Sequence, residues 1–180
     1  MPCVKPSSAW YGTSRASTRG VGNYALRRIK RILVPVDFSR YTDSVLVSAA
    51  FLASNHAASV DLLHVWREPF ALPAPWNEAP KAPAKARREL ISLYEVALDR
   101  AAEQLADLGA QSVSVHLVEG TASHSILELL DDESFDLVVM GNHGQTGLPQ
   151  AYIGSVTERV IRRSTVPVLV VPSPLSGEAD

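Results

Sequence analysis

The sequence predicts a three-layer α/β/α fold around a parallel sheet, and three observations carry that expectation. Short apolar runs rich in Val, Ile and Leu recur at Ile32–Val36, Ser59–Val65, Phe135–Met140 and Val166–Val171, as strands do when both faces are covered. Segments with helical spacing lie between them, the alternation that builds parallel sheets. The stretch Gly141–Ser155, GNHGQTGLPQAYIGS, leaves one of these runs through a Gly-rich loop and enters a short helical segment. It therefore falls at the carboxyl end of a strand, where open parallel sheets bind ligands.

The chain has 180 residues, 46% of them hydrophobic, and a formal net charge of −2. That is room for one domain with a real core, and the charge balance favours neither nucleic acid nor a membrane surface. Cys3 is the only cysteine, which excludes an intrachain disulfide and a cysteine-based metal cluster. No apolar run approaches the roughly 20 residues of a membrane-spanning helix. A soluble, cytoplasmic protein is expected.

Residues 1–28 read as a disordered basic arm, with Lys5, Arg15, Arg19, Arg27 and Arg28 and no Asp or Glu; the same composition also fits an organellar transit segment. Gly20-Val21-Gly22-Asn23-Tyr24-Ala25 matches a dinucleotide fingerprint only as a string, because it precedes every strand instead of following one. The folded domain is expected over 29–173, with a polar tail at 174–180.

Ile32–Val36 is the first strand, and Pro35 near its end fits only if its missing N–H falls where the ladder stops. Asp37 follows at the lip of the sheet. Ser39 can cap a helix starting near Tyr41, whose buried stripe is Val45, Ala49, Leu52 and Ala53. Ser59–Val65 is the second strand, with His64 as a strand residue whose ring is satisfied. Trp66–Ala84 contains Pro69, Pro73, Pro75, Pro80 and Pro83, too many for helix or central strand; it is either a lid or a surface crossover.

Ala86–Leu108 is a long helix with Leu90, Leu93, Tyr94, Ala97, Leu98, Ala101, Leu105 and Leu108 on one stripe, stopped by Gly109. Ser112–Val118 alternates like a half-exposed edge strand. Thr121 or Ser123 caps the next helix, which runs through Leu130, and His124 in its first turn faces solvent. After Phe135–Met140, the segment Gly154–Arg163 is helical, and Ser155-Val156-Thr157-Glu158 has capping-box spacing.

The Gly-rich loop offers an anion site. Gly141 and Gly144 let a ligand approach the backbone, and the first N–H groups of the following helix, at the positive end of its dipole, suit a phosphate. Ser155 either caps that helix or donates its hydroxyl to a phosphate oxygen. His143 either meets a ligand or faces solvent. Asp37 is a turn carboxylate, an acceptor for ribose or adenine donors, or an acid near a phosphate-bound Mg²⁺.

The spacing Gly141-x2-Gly144-x9-Gly154-Ser155 resembles the nucleotide-binding signature of the universal stress protein family. Ile32-Leu33-Val34-Pro35-Val36-Asp37-Phe38-Ser39, Asp136–Gly141 and Val166–Val171 fit the same family in the same order. The resemblance covers about Lys30 to Pro172. It implies a Rossmann-like five-stranded sheet of order 3-2-1-4-5, like that of the adenine nucleotide alpha hydrolases, and a site for ATP, with or without Mg²⁺.

The implied ligand residues are Pro35, Val36 and Asp37 beside the nucleoside, and Leu63 and Val65, whose strand passes the adenine. Met140, Gly141, His143 and Gly144 come from the loop, and Gly154, Ser155, Val156 and Thr157 from the helix start. No side chain stands out as catalytic or as a metal ligand. The last strand, Val166–Val171, is expected to pair with its copy in a homodimer through an exposed edge of Val166, Val168 and Val170. Two departures stand out: Gln145 and Pro149-Gln150 occupy places where relatives often carry a basic residue, so no Arg or Lys lies within Gly141–Ser155.

The expected function is a nucleotide-responsive stress or regulatory module. The alternatives are a slow ATPase or phosphotransferase on the same site, which lacks a Gly-x4-Gly-Lys-Ser/Thr loop, or an interaction scaffold without nucleotide binding. The sequence names no protein partner.

Overall fold

The computed structural model describes residues 28–67, 83–142 and 153–172. The basic arm, the Pro-rich stretch from 68 to 82, the loop from 143 to 152 and the tail from 173 lie outside the described residues. Strands β1 (Arg31–Pro35), β2 (Ser59–Trp66), β3 (Val113–Glu119), β4 (Leu137–Gly141) and β5 (Val168–Val171) alternate with helices α1 (Thr42–His56), α2 (Ala84–Asp107), α3 (Ala122–Asp132) and α4 (Ser155–Arg163). All strand pairs are parallel, in the order β3-β2-β1-β4-β5. That is the predicted sheet.

The unbroken apolar runs are explained by two cores, one on each face. Ile32, Val34 and Leu62 pack with Ala49 and Ala53 of α1 and with Leu98 and Leu105 of α2. Leu33, Leu63 and Val138 pack on the opposite face with Ile126 and Leu130 of α3 and Val160 of α4. Each Val, Leu or Ile among them, once fully buried, contributes roughly 1.5–3 kcal/mol. Pro35 is tolerated because the β1–β4 pairing covers only Ile32 and Leu33, so its missing N–H lies beyond that ladder.

Local cues fared unevenly. Gly109, at φ +99°, ends α2 as expected: Ala110 N–H reaches Leu105 O at 2.9 Å and Gly109 N–H reaches Ala106 O at 2.9 Å, a Schellman closure. The α2 stripe is narrower than its spacing predicts. Leu98, Ala101 and Leu105 are buried, whereas Leu93, in the first half of the helix, and Leu108, at its C-cap, are exposed. Leu52 is only partly buried against the α1 core.

None of the expected side-chain caps forms. Tyr41, Thr121 and Gly154 are the N-caps of α1, α3 and α4, and none makes a capping side-chain bond. Ser39 stands two residues too early; its own N–H donates to Asp37 Oδ1 at 3.1 Å, a local turn made with Phe38 at φ +55°. Ser123 is buried and accepts a bond from Arg159 at 3.0 Å.

At the far edge, β3 is an edge strand as expected. β5 is shorter than predicted, and Val166 and Val168 are drawn against the α3–α4 core, leaving Leu169 as the exposed apolar side chain there. The edge of valines expected at Val166, Val168 and Val170 is thus not the exposed surface. Alternation along a short edge strand sends those residues inward, to the face that α4 covers.

Candidate functional site

At the carboxyl end of the sheet lies an open cleft of about 360 Å³, within the range of small-molecule sites. The fold builds it from the ends of β1, β2 and β4 and from the first turns of α3 and α4. Every predicted site residue that the structure describes lines it. Pro35, Val36 and Asp37 come from the end of β1, Leu63 and Val65 from β2, and Met140 and Gly141 from β4. Gly154, Ser155, Val156 and Thr157 come from the start of α4. His143 and Gly144 lie outside the described residues.

The base of the Gly-rich loop is closed by backbone bonds. Gly154 N–H donates to Asn142 O at 2.7 Å, and Asn142 N–H donates to Val171 O at 2.9 Å. The chain thus leaves the sheet and re-enters α4 at neighbouring points. Thr157, buried, donates its hydroxyl to Gly141 O at 2.8 Å and pins the first turn of α4 to the end of β4. With Gly154 as N-cap and no capping side chain, the N–H groups of Ser155, Val156 and Thr157 have no intrahelical partner. Ser155 is exposed and is the first helical residue rather than the cap, so the capping-box alternative is set aside.

The cleft is graded in polarity. Toward β2 and α3 it is apolar, with Leu63, Val65, Ile126 and Ala122; toward α4 it is backbone and hydroxyl, with Gly141, Gly154, Ser155 and Thr157. Asp37 stands between, at the end of β1.

His64 was expected as a satisfied strand residue, and it is half of one. Its Nδ1 lies 2.8 Å from Val36 O; a carbonyl only accepts, so the proton sits on Nδ1. Nε2 is buried with no hydrogen-bond partner among the described residues. Burial pushes the ring's pKa down, against smaller opposing effects from the Val36 bond and from Asp37, which keeps it neutral. The ring packs between Phe38 and Tyr94, with centroids at 4.6 and 4.5 Å.

Several lining residues were not predicted: His64, Trp66, Arg67, Tyr94, Ala122 and Ile126. Trp66 was expected in the Pro-rich segment but ends β2 and is buried. The β-propensity of the Trp next to Val65 was its available signal. Ala122, Ile126 and Tyr94 reach the cleft only through the way α3 and α2 pack, which no local pattern reveals. Among the described residues no group of His, Cys, Asp or Glu could hold a metal ion, and no helix is long and apolar enough to cross a membrane.

Known proteins resemble this chain in sequence and in fold. Universal stress protein MJ0577 of Methanocaldococcus jannaschii is 33% identical over 153 residues, covering 79% of this chain and 94% of its own. A solved structure of MJ0577 matches at TM-score 0.67 over 80% of this chain and 96% of that one, at 31% identity. Universal stress protein YxiE of Bacillus subtilis is 30% identical, over 78% of this chain and 97% of its own. A universal stress protein crystallised in complex with cAMP shares the fold at TM-score 0.58 and 24% identity, covering 81% of this chain and 98% of that one. The sequence model of the universal stress protein family matches residues 28–172, and the chain belongs to that family.

Proposed function

We propose that the cleft binds an adenine nucleotide, ATP first among them, and that the protein is a nucleotide-responsive regulatory module of the cytoplasm. The observation that carries this reading is the uncapped start of α4 facing a cleft whose opposite wall is apolar. Phosphates suit the first: N–H groups with no intrahelical partner, the positive end of the dipole and the exposed Ser155 hydroxyl. A base suits the second. The phosphates then lie on Gly141–Gly144 and the Gly154–Thr157 turn, and the nucleoside between Asp37 and Leu63–Val65. Mg²⁺ would arrive with the phosphates, whose charge it would neutralise. Nucleotide binding would bias the loop after Asn142 and alter the surface that partners meet.

The dimer belongs to the same proposal. β5 is paired only with β4 among the described strands, so its outer edge can take the same strand from a second copy, with Leu169 at the contact. Sedimentation of Leu169→Lys against the native chain tests it: a dimer that becomes monomer supports the pairing.

The direct test of ligand is mass spectrometry of small molecules released by denaturing the purified protein, beside Ser155→Asp. Aspartate is favourable at an exposed first helical position, so the variant should fold, yet it repels phosphate. Adenine nucleotide released from the native chain and absent from the variant is expected. An empty extract, followed by no response to ATP and Mg²⁺ in titration calorimetry, would defeat the reading. Phosphate release during that titration would make the protein an ATPase.

A further inference from the structure

We propose that Arg67 is the residue that closes the cleft over the nucleoside, its guanidinium plane lying against the base; this rests on the adenine-nucleotide reading above. The Gly-rich loop carries no Lys or Arg. Among the described lining residues Arg67 is the one cation, since His64 is held neutral.

Its position is fixed from both sides. Successive residues of a strand alternate faces. Leu63 belongs to the α3–α4 core and Val65 packs against it; Arg67, the first residue past β2, lines the cleft beside the start of α3. Trp66 between them is buried the other way, beside Tyr94 and under the Arg87 guanidinium. Gly120 N–H donates to Trp66 O at 2.9 Å, which brings the start of α3 against the end of β2. Arg67 NH2 then donates to Thr121 Oγ1 at 2.8 Å. A Cβ at Gly120 would lie 2.6 Å from Ser125 Oγ, so a side chain there would force that hydroxyl to move. One arm of the exposed guanidinium is therefore held, and its other N–H groups have no partner among the described residues, so its plane can meet a ligand.

This end of the cleft is the apolar one, beyond Val65 and facing Ala122 and Ile126, while the anion-accepting N–H groups are at α4. A planar, weakly hydrated cation beside an apolar wall suits a flat ring. The chain uses the same contact internally, with Arg31 over Phe135 at 4.4 Å.

The experiment is titration calorimetry of adenosine, AMP and ATP with the native chain, Arg67→Ala, Arg67→Lys and Thr121→Ala. Arg67→Ala should weaken all three ligands by the same factor, about tenfold. Arg67→Lys, which keeps the charge but loses the plane, should recover little. Thr121→Ala, which frees the guanidinium, should cost less but equally across the series. Unliganded melting should stay unchanged, since Arg67 is on the surface. Unchanged affinities in Arg67→Ala would overturn the inference. So would a loss that spares adenosine and grows with each phosphate, or full rescue by lysine. If the native chain binds none of the three, the nucleotide reading fails and this inference goes with it.

Discussion

The two ends of the sheet treat their polar groups in opposite ways. Where the strands begin, polar groups satisfy one another. Buried Asp61 takes Arg31 Nε at 2.8 Å and NH2 at 2.7 Å, and His116 Nε2 at 2.8 Å. Arg31 also reaches Glu133 at 2.6 Å, and Asp136 Oδ2 accepts the N–H groups of Lys30 and Arg31 at 2.8 and 3.1 Å. Where the strands end, α3 and α4 start without side-chain caps, and His64 Nε2 has no partner among the described residues. A network that closes on itself holds a fold together; polar groups with no partner among the described residues, at the mouth of a cleft, are available to a ligand. The first end is structure, and the second is where the proposed site lies.

The sharpest break of that contrast is at Asp61. Removing one partner of a buried ion pair leaves the other uncompensated. Asp61→Ala should therefore lower unfolding stability by about 3 kcal/mol in urea denaturation, with the ATP affinity of the folded variant unchanged. The network also has a pH signature. Burial alone would raise the Asp61 pKa, but the bonds from Arg31 and then His116 outweigh it and hold it below its ordinary 3.8. The unfolded chain then binds the extra proton first. The stabilisation is present above pH 3.8 and is lost as pH falls below that value toward the folded pKa. Acid unfolding followed by circular dichroism should show this loss in the native chain and lack it in Asp61→Ala. A ligand affinity that collapsed along with stability would erase the distinction between the two ends.

Thr157 comes next, because it belongs to both accounts. Thr157→Val removes the donor to Gly141 O, and should cost about 1–2 kcal/mol of stability. It should also weaken ATP several-fold, by loosening α4 on β4. A stability loss without any change in affinity would show that the start of α4 needs no such anchor.

The smallest effect is at His64. Its folded pKa lies below its ordinary 6.5, chiefly through burial. Its contribution is present above pH 6.5 and fades as pH drops below it, because only the unfolded chain protonates readily there. Melting temperature should fall between pH 7 and pH 5.5, and fall less in His64→Asn, whose amide can still donate to Val36 O. Equal slopes in the two proteins would remove His64 from the account.

Much of this was legible in the chain, for identifiable reasons. Strands buried on both faces need Val, Ile and Leu, so β1 and β4 announced themselves to within a residue or two, and β2 did so despite Asp61 and His64. Gly109 had to be glycine for its positive φ, and it ended α2. Strand order came from the resemblance, not from periodicity. The candidate residues that line the cleft were readable because the ends of β1, β2 and β4 and the start of α4 carry them in short local motifs. Arg67, Ala122 and Ile126 were not, because they reach the cleft through the docking of α3 on β2. The expected caps failed for a related reason. Ser39, Ser123 and Ser155 have the right chemistry, but each N-cap lies a residue or two away from them; Thr121 does stand at the α3 N-cap, but its hydroxyl takes Arg67 instead of a helix N–H. The Asp61 network was equally hidden: its members come from three strands and the end of α3.

The most direct measurement is backbone amide NMR of the native chain titrated with ATP and Mg²⁺. The account predicts shifts concentrated at Leu63–Arg67, Met140–Asn142 and Gly154–Glu158, with Arg31, Asp61, His116 and Glu133 unmoved. Shifts centred on the Arg31–Asp61 end, or none at saturating ATP, would contradict it.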